Sequence, residues 1–455
     1  MDLPIAVQNY NKSKKAPKIT TLDRAKAAQI KRFFSGSFLI DDITGGGYAY
    51  RRIQLLFGGR SASKSAELYQ MIAFNQRLCR NCFGILPQYY EMTEKDRWTS
   101  VLADILMIPP CKCSASDSKK ILFLDYERAL GMETPKTETV KKITNKETGE
   151  EIDELDYNTN MTILDELKLK KELTEKQKEK IDKLEKYFES LNVVKTRVER
   201  MNAKDYLINC GVIYNELMMA DPSDTEEGIE IAIDLTKSMS VDAIIWDSLQ
   251  SAIPRYVKDR DPGEATMGIE AKQNGLLMRH ICSAFAAEDL EDEKQAYKPA
   301  LFIISQVRSS IGGFHAGPDT YSGGNAIHHH IALALEFKRQ CFLKENGEDA
   351  KFDEDFYGQR VRLRADKNKL SAPGDMYEYN YYFRKGEKFP IGIDHVAEII
   401  NLGISKRIGL IEQGGAWFKV RGERFQGKSA LIDFMRDKPK FVGQLYQDIK
   451  NKRGF

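Results

Sequence analysis

Short apolar stretches rich in β-branched residues recur along the chain and are separated by segments with helical periodicity. Strands that alternate with helices form sheets covered on both faces, so the pattern predicts an α/β fold with a mostly parallel sheet. The predicted strands are Ile53–Phe57, Ile121–Leu124, Ala243–Trp246, Leu301–Ile304 and Ile331–Leu335.

Two segments interrupt this alternation. Residues 77–118 contain four of the seven cysteines, and residues 132–200 are highly charged with a helical pattern. In the second segment Thr174–Gln177 resembles a helix capping box, and we expect a helical hairpin there with Met161–Lys171 as its other half. The apolar stripe of the predicted helix is Ile181, Leu184, Phe188 and Leu191. A solvated surface excursion and a partner-docking arm are both open interpretations of this insertion.

Composition adds that a chain of 455 residues, 42% of them hydrophobic, can form about three structural units and at least one large core. The net charge is only +2, so any nucleic-acid surface must come from local placement of Lys and Arg. The sequence has no apolar core of signal-peptide length near its start and no apolar run of about 18 residues. We therefore expect a cytoplasmic protein with no membrane partner.

A phosphate-binding loop is indicated directly after the first predicted strand. The octapeptide that follows the strand leads into a helical run, which is the context of a P-loop, although an ordinary strand-to-helix turn is the alternative. Lys64 would reach the β and γ phosphates of ATP, and Ser65 would ligate Mg²⁺. Ser63 stands where the P-loop pattern has its second glycine, which bears on nucleotide affinity and hydrolysis rate. The predicted ATP-binding residues of the loop are Gly58, Gly59, Arg60, Ser61, Ala62, Ser63, Lys64 and Ser65.

Two acidic residues at the ends of predicted strands complete the pattern of an ATPase. Asp247 ends a buried strand, as a Walker B carboxylate does, and would hold Mg²⁺ beside Ser65. Glu127 follows another strand and would orient the water that attacks ATP. Either acid alone could be a helix cap or a solvated strand end, but together and in this order they favour ATP hydrolysis.

Several further stretches resemble bacterial RecA, and the P-loop without its second glycine resembles that of phage UvsX recombinases. The stretches are Ser251–Pro254, Ser305–Arg308, Lys367–Pro373 and Gly414–Phe418. The resemblance spans about Gly36–Asp448 apart from the two insertions. It implies an ATP-dependent recombinase that forms helical filaments on single-stranded DNA and pairs it with a homologous duplex. Further copies of the chain, single-strand-binding proteins and loader proteins would be its partners.

The resemblance also implies roles for individual residues. The residue matching Gln306 senses the γ-phosphate, and the lysines matching Lys367 and Lys369 reach ATP bound by a neighbouring subunit. Ile311 would wedge between bases, whereas Phe314 and Tyr321 would either stack on bases or pack the loop. The implied DNA contacts are Arg255, Lys258, Arg260, Met267, Lys272, Arg279, Arg308, Ile311, Ser322, Gly323, Gly324 and Asn325.

The domain organisation implied by the resemblance has three parts. Residues 1–35 would be an oligomerisation arm with a helix over Leu22–Phe34, residues 36–390 a RecA-type P-loop NTPase core, and residues 391–455 a small α+β C-terminal domain. A hexameric RecA-fold helicase and a nucleotide-binding filament protein with little hydrolysis are the alternatives. The lysine pair and the C-terminal motifs favour the recombinase over the helicase.

The cysteines of the first insertion predict a structural Zn²⁺ site. Cys79 with Cys82, and Cys111 with Cys113, form two close thiolate pairs, and zinc prefers four such ligands in a tetrahedron. A closed site of this kind would stabilise an insertion too small for its own core. Free buried thiols are the alternative. We do not expect a metal at His328–His330, because three consecutive side chains on a regular element cannot all face one ion.

Overall fold

The computed structural model describes two compact units of the chain. The larger comprises Met1–Ala129 with Leu207–Phe455, and the smaller comprises Leu130–Tyr206. The residues that the structure describes are 31–91, 96–114, 116–128, 137–146, 160, 163–164, 167–168, 174–199, 203–259, 269–286, 298–308, 320–321, 324–351, 355–371, 375–386, 389 and 391–454.

Strands and helices alternate through most of the larger unit. In chain order the strands are β1 (Arg32–Phe33), β2 (Tyr48–Ala49), β3 (Ile53–Gly58), β4 (Ile121–Asp125), β5 (Thr137–Asn145), β6 (Leu191–Glu199), β7 (Met218–Ala220), β8 (Ala243–Asp247), β9 (Ala300–Arg308), β10 (Thr320–Tyr321), β11 (Leu333–Leu343), β12 (Gly358–Asn368), β13 (Met376–Tyr382), β14 (Gly392–Ile393), β15 (Glu412–Gly414), β16 (Trp417–Val420) and β17 (Glu423–Gln426). The α-helices are α1 (Phe38–Thr44), α2 (Lys64–Gln76), α3 (Pro87–Tyr90), α4 (Arg97–Ser100), α5 (Glu175–Glu189), α6 (Ala203–Asn209), α7 (Thr225–Ser238), α8 (Arg255–Lys258), α9 (Ile269–Ala286), α10 (Gly324–His330), α11 (His395–Ile404), α12 (Lys428–Arg436) and α13 (Pro439–Arg453). Val101–Ile105 forms a π-helical turn and Tyr214–Glu216 a 3₁₀ turn.

A ten-stranded sheet forms the centre of the larger unit. Its parallel strands lie in the order β11, β3, β9, β8, β4, β7, and β12, β13 and β14 continue it in antiparallel fashion beyond β11. All five predicted strands form, so the predicted α/β fold with a mostly parallel sheet is confirmed. Strand β11 begins at Leu333 rather than at Ile331, because α10 and the turn after it occupy the preceding residues.

The two faces of the sheet pack against different helices. Alternate strand residues such as Leu55 and Trp246 join α7, α9 and α10 in one buried apolar cluster, since side chains of a strand point to opposite faces in turn. On the other face the Tyr69 ring of α2 lies 6.2 Å from the Phe123 ring. Both faces are therefore covered, which accounts for the apolar character of these strands along their whole length.

The prediction of a helix over Leu22–Phe34 is wrong at its carboxyl end. Arg32 and Phe33 form β1, which pairs antiparallel with β2. The Phe33 ring lies 4.9 Å from the Tyr50 ring and 6.3 Å from the Phe302 ring, and this aromatic packing holds the segment extended against the sheet. Residues 22–30 of the predicted helix lie outside the described residues.

The smaller unit combines a β-ribbon with a helix. Strands β5 and β6 pair antiparallel from Thr137 opposite Glu199 to Asn145 opposite Leu191, and α5 begins with the predicted capping box at Thr174. The helical prediction is thus correct for α5 and for residues 163–164 and 167–168, the part of Met161–Lys171 that the structure describes. It is wrong for β5 and β6, where β-branched residues are frequent and favour strands over helices. Leu191, expected on the helical stripe, is the first residue of β6.

The C-terminal segment contains the predicted mixture of helices and a small antiparallel sheet, β15–β17. Strand β14, near the start of this segment, pairs with β13 of the large sheet. In α11, Glu398 accepts hydrogen bonds from the Ser37 hydroxyl and the Phe38 amide. The segment and the core therefore form one compact unit. Among the described helices, none has the length and apolar character needed to cross a membrane.

Candidate nucleotide and nucleic-acid site

The candidate nucleotide site lies at the carboxyl edge of four adjacent parallel strands, β3, β9, β8 and β4. The phosphate loop follows β3, Gln306 lies near the end of β9, and Asp247 is the last residue of β8. Glu127 lies two residues beyond the end of β4. Because the ends of neighbouring parallel strands share one edge, the topology brings together residues that are far apart in sequence.

The backbone of the phosphate loop requires unusual conformations at both of its ends. Gly58 has φ of 152°, and a Cβ there would lie 2.0 Å from the carbonyl oxygen of Phe337. Ser63 adopts the left-handed conformation, with φ of 68°. A glycine is the usual residue for that conformation, so the fold keeps the shape of a P-loop at the position where the sequence departs from the pattern.

Gln359 supports this loop from β12 and was not predicted from the sequence. Its Nε2 donates hydrogen bonds to the Ser61 carbonyl oxygen at 3.0 Å and to the Ser63 hydroxyl at 2.5 Å. Nothing near Gln359 in the sequence signals this role, because the two partners are almost 300 residues away.

Lys64, Ser65 and Asp247 form the polar centre of the site. The Ser65 hydroxyl donates a 2.9 Å hydrogen bond to Oδ2 of Asp247, and Nζ of Lys64 donates to the carbonyl oxygens of Gly59 at 2.6 Å and Gly58 at 3.1 Å. Burial raises the pKa of Asp247 to about 7, and burial lowers the pKa of Lys64 despite the carboxylates of Asp247 and Glu127.

This donor set fits Mg²⁺ and a nucleotide phosphate. A hydroxyl and a carboxylate oxygen in contact are hard oxygen ligands of the kind that Mg²⁺ prefers. A Cβ built on Gly59 would meet no atom within 4 Å, so the loop backbone is open for a phosphate to approach. Ser65 and Asp247 would hold the ion, and Lys64 together with the loop amides would hold the phosphates.

Two serines beyond the end of β8 hold Glu127, and no sequence motif indicated this role for them. Its Oε1 accepts hydrogen bonds from the hydroxyls of Ser248 at 2.8 Å and Ser251 at 3.3 Å. The side chain of Glu127 is exposed, so water can reach it. The signal for these serines was their place after β8, because Ser248 follows Asp247 directly and Ser251 lies four residues beyond it.

Gln250 links this edge to Gln306 and was also missed. Its Nε2 donates to the Ser305 hydroxyl at 2.8 Å and to the carbonyl oxygen of Gln306 at 3.0 Å. Its Oε1 accepts from the backbone amide of Gln306 at 3.2 Å. The side-chain amide of Gln250 therefore binds both the backbone N–H and the backbone carbonyl of Gln306, the predicted γ-phosphate sensor.

Lys367 and Lys369 lie at the end of helix α10 in this chain. Nζ of Lys367 donates to the carbonyl oxygen of His328, and Nζ of Lys369 donates to that of His329 at 3.2 Å. These carbonyls belong to the last turn of α10, where a cation is favoured by the helix dipole. Within one chain the two lysines therefore bind the end of α10. Their hydrogen bonds do not go to the nucleotide site of Lys64 and Asp247.

The predicted DNA-binding loops begin at the same edge of the sheet. Strand β10 pairs with the end of β9, with Thr320 opposite Arg308 and Tyr321 opposite Val307, so the two ends of the second loop are held together. Lys272 and Arg279 are exposed on α9 and are separated by two helical turns, which places them on one face. Both are available to contact phosphates.

Arg255, a predicted DNA contact, is exposed and forms an ion pair within the chain. Its guanidinium forms a two-point ion pair with Asp224, with distances of 2.9 Å and 3.2 Å. Asp224 is the N-cap of α7, and the Arg255 guanidinium holds the pKa of that carboxyl below its usual range. Lys258, which follows on α8, is exposed and donates to the Ser223 carbonyl oxygen at 3.3 Å.

Several predicted DNA contacts fall where the structure gives no description. Of Arg308, Gly324 and Asn325 the structure describes the backbone, in β9 and α10. The predicted contacts outside the described residues are Arg260, Met267, Ile311, Ser322 and Gly323.

The four cysteines of the first insertion converge away from this edge of the sheet. Their Sγ atoms all lie within 4.8 Å of one another. Two loops contribute one pair each, Cys79 with Cys82 and Cys111 with Cys113. The predicted grouping of these side chains is confirmed.

Comparison with known proteins gives two domain matches. Residues 192–388 match the RecA N-terminal domain, and residues 397–454 match the RecA C-terminal domain. Together the two matches cover more than half of the chain. The phosphate loop and Glu127 lie before the first matched range, so their assignment rests on the geometry described above.

Individual relatives agree with these domain matches. The chain is 28% identical over 250 residues to Protein RecA of Methylobacterium radiotolerans, a match that covers 55% of this chain and 62% of that protein. It is 29% identical over 245 residues to Protein RecA 1 of Myxococcus xanthus, covering 54% of this chain and 65% of that protein. The chain thus spans a little under two thirds of the length of these curated relatives. With the two domain matches and the mostly parallel sheet, these similarities show that the chain belongs to the RecA family.

Proposed function

We propose that this chain is an ATP-dependent DNA recombinase that forms helical filaments on single-stranded DNA and exchanges strands with a homologous duplex. The observation that carries the proposal is the convergence of Lys64, Ser65, Asp247 and Glu127 at one sheet edge in a member of the RecA family. Its proposed partners are single-stranded DNA, homologous duplex DNA and further copies of the chain.

The chemistry follows from the placement of these side chains. Mg²⁺ supplies charge neutralisation for the transferred phosphoryl group when it is bound. Lys64 and the amides at the start of α2 bind phosphate oxygens, because the N-terminus of a helix favours anions. Glu127, held by Ser248 and Ser251, accepts a proton from water at Oε2, the oxygen not engaged by the serines.

Coupling to DNA is proposed to run through Gln250 and Gln306. Both DNA loops start at the carboxyl ends of β8 and β9, and the Gln250 amide joins the end regions of these two strands. A change at Gln306 on nucleotide binding would therefore reach both loops. Contacts from Lys272 and Arg279 to phosphates carry no sequence information, which suits a protein that searches any sequence.

Lys367 and Lys369 are proposed to exchange partners when filaments form. In one chain they bind the last carbonyls of α10, whereas the family resemblance places the matching lysines on nucleotide bound by a neighbour. Both partners, the carbonyl oxygens of α10 and the phosphates of the nucleotide, carry negative charge or partial negative charge. Subunit assembly would therefore replace the helix end by phosphate at these two side chains.

Strand exchange tests the proposal directly. The purified chain is incubated with circular single-stranded DNA, homologous linear duplex, ATP and Mg²⁺, with Lys64→Ala as the inactive control. Joint molecules from the wild type alone support the proposal. Unwinding of a forked duplex without joint molecules would instead indicate a helicase. Closed rings rather than filaments, imaged with a non-hydrolysable ATP analogue, would contradict the filament.

A further inference from the structure

We infer that Cys79, Cys82, Cys111 and Cys113 bind one zinc ion at a site separate from the nucleotide site. The Sγ atoms of Cys82 and Cys111 are 3.4 Å apart, and those of Cys79 and Cys113 are 4.0 Å apart. Four thiolates at about 2.3 Å from a tetrahedral ion lie about 3.8 Å from one another. The observed spacing matches a single ion.

The backbone of two loops holds this arrangement. The Cys79 amide donates to the Gly84 carbonyl oxygen at 2.8 Å, and the Cys111 amide donates to the Ile85 carbonyl oxygen at 2.7 Å. Gly84 is needed where the loops meet, because a Cβ there would lie 2.9 Å from the Cα of Cys111. The two cysteine pairs are thus placed by main-chain hydrogen bonds and not by their own contacts.

Amide groups also point at the sulfur atoms. The Gly84 amide donates to Sγ of Cys82, and the Cys113 amide donates to Sγ of Cys111, both at 3.4 Å. Hydrogen bonds of this kind stabilise the thiolate, which is the form of cysteine that binds metal.

The apolar cluster around the cysteines is too small to explain why they meet. The buried cluster there consists of Cys79, Leu86 and Cys111, with Tyr89 and Cys113 packed beside it. Cys82 is exposed and Cys113 is partly exposed, so the four side chains are not simply buried apolar groups. A metal ion would add to the weak apolar packing around the four sulfur atoms.

The ion would also secure the contact between the core and the C-terminal segment. The chain between the two cysteine pairs carries Arg97, which donates to the carbonyl oxygens of Ile391 and Ile393. It also carries Asp104, and a Cβ built on Gly443 of α13 would lie 2.2 Å from the Asp104 carbonyl oxygen. Closing this loop with a metal reduces the conformations open to it, so zinc would favour the docking of α13.

Metal analysis of the full-length chain, purified without a metal-chelating tag, is the first test. We expect about one zinc ion per wild-type chain, and the loss of most of this zinc in Cys79→Ser, which lacks one of the four ligands. Cys341→Ser is the matched control, because Cys341 lies on β11 outside the cluster, and it should keep its zinc. A folded wild-type chain without metal would overturn the inference, as would iron in place of zinc.

A second test does not depend on the folding of Cys79→Ser. Cys113→His keeps four zinc ligands and should retain the ion, whereas Cys113→Ala should bind it more weakly. In the wild type, a mercurial thiol reagent should release zinc as the four thiols react, and α13 should become more sensitive to protease. Two disulfides among these cysteines, found by mass spectrometry of the unreduced chain with no zinc released, would contradict the proposal.

Discussion

Gln359 donates a hydrogen bond to the hydroxyl of Ser63, which stands at a left-handed position of the phosphate loop. The same amide group binds the carbonyl oxygen of Ser61. A non-glycine residue in the left-handed conformation costs about 1 kcal/mol. A hydrogen bond contributes about 1 kcal/mol, so the bond from Gln359 offsets the backbone cost at Ser63.

Replacement of Ser63 should separate these two effects. Ser63→Gly removes the hydrogen bond from Gln359, and it also removes the conformational cost of a side chain at a left-handed position. These two effects oppose each other, so the free energy of unfolding of Ser63→Gly should lie close to that of the wild type. Ser63→Ala keeps the cost and loses the bond, and should be less stable than Ser63→Gly by about 1 kcal/mol. Urea unfolding without nucleotide measures the difference. Equal stability of the two variants would show that Ser63 is not strained.

Replacement of Glu127 should stop turnover without preventing nucleotide binding. Glu127→Gln keeps an oxygen for the hydroxyls of Ser248 and Ser251 but cannot accept a proton. The ATPase rate should fall by about 10²–10⁴-fold, while nucleotide affinity changes little and filaments persist. Phosphate release and fluorescent-nucleotide titration measure the two quantities. Glu412→Gln, on exposed β15, is the control. Normal turnover by Glu127→Gln would remove this residue from its proposed role.

Gln250 should act as a positioning residue that couples DNA to ATP turnover. Gln250→Ala removes the three hydrogen bonds to Ser305 and Gln306. We expect stimulation of the ATPase by single-stranded DNA to fall about tenfold, with a smaller change in the basal rate. Gln413→Ala, at an exposed position, is the control. An equal loss of basal and stimulated rates would indicate a merely structural role.

His395 should make the fold less stable in mild acid. Its Nε2 donates to the Gly36 carbonyl oxygen at 2.9 Å, its Nδ1 accepts from Arg97 at 3.3 Å, and burial with the nearby Arg97 charge lowers its pKa to about 3. In the unfolded chain the imidazole of His395 binds a proton near pH 6.5, whereas in the folded chain it stays neutral to about pH 3. The free energy of unfolding is therefore unaffected by this group above pH 6.5 and decreases as the pH falls from 6.5 toward 3.

The His395→Gln variant isolates this contribution. The stability of the wild type relative to His395→Gln should decrease by up to about 1.4 kcal/mol per pH unit below pH 6. Urea unfolding at a series of pH values measures this slope, and other buried acids cancel in the comparison. His280→Gln, at an exposed position of α9, should match the wild type at each pH. Parallel curves for wild type and His395→Gln would contradict a neutral buried imidazole.

Mixed filaments should show whether Lys367 acts on a neighbouring subunit. Lys64→Ala and Lys367→Ala should each lack ATPase activity alone. A site built from Lys64 of one subunit and Lys367 of the next is intact in about a quarter of the interfaces of an equal random mixture. The mixture should therefore regain up to about a quarter of the wild-type rate. No recovery, with mixed filaments verified by labelled subunits, would place both lysines in the same subunit's site.

Local patterns predicted much of the fold because the relevant signals are short in sequence. The buried strands are continuous apolar runs, and the capping box at Thr174 lies within four residues. The charged insertion was predicted to be helical, and this was wrong for β5 and β6, whose β-branched residues favour strands. The ion pair of Arg255 with Asp224 could not be predicted, because it depends on how α7 and α8 pack.

The amino-acid sequence is enough to predict the alternation of strands and helices, a candidate phosphate loop with two acidic partners, and two pairs of cysteines. These features depend on neighbouring residues and on the chemistry of each side chain. The folded structure is needed to show that Gln359 donates a hydrogen bond to Ser63, that Gln250 holds the backbone of Gln306, and that the four thiol sulfurs lie within 4.8 Å of one another. Such contacts join segments far apart in the chain, and their geometry is set by strand order and packing, which no local pattern encodes.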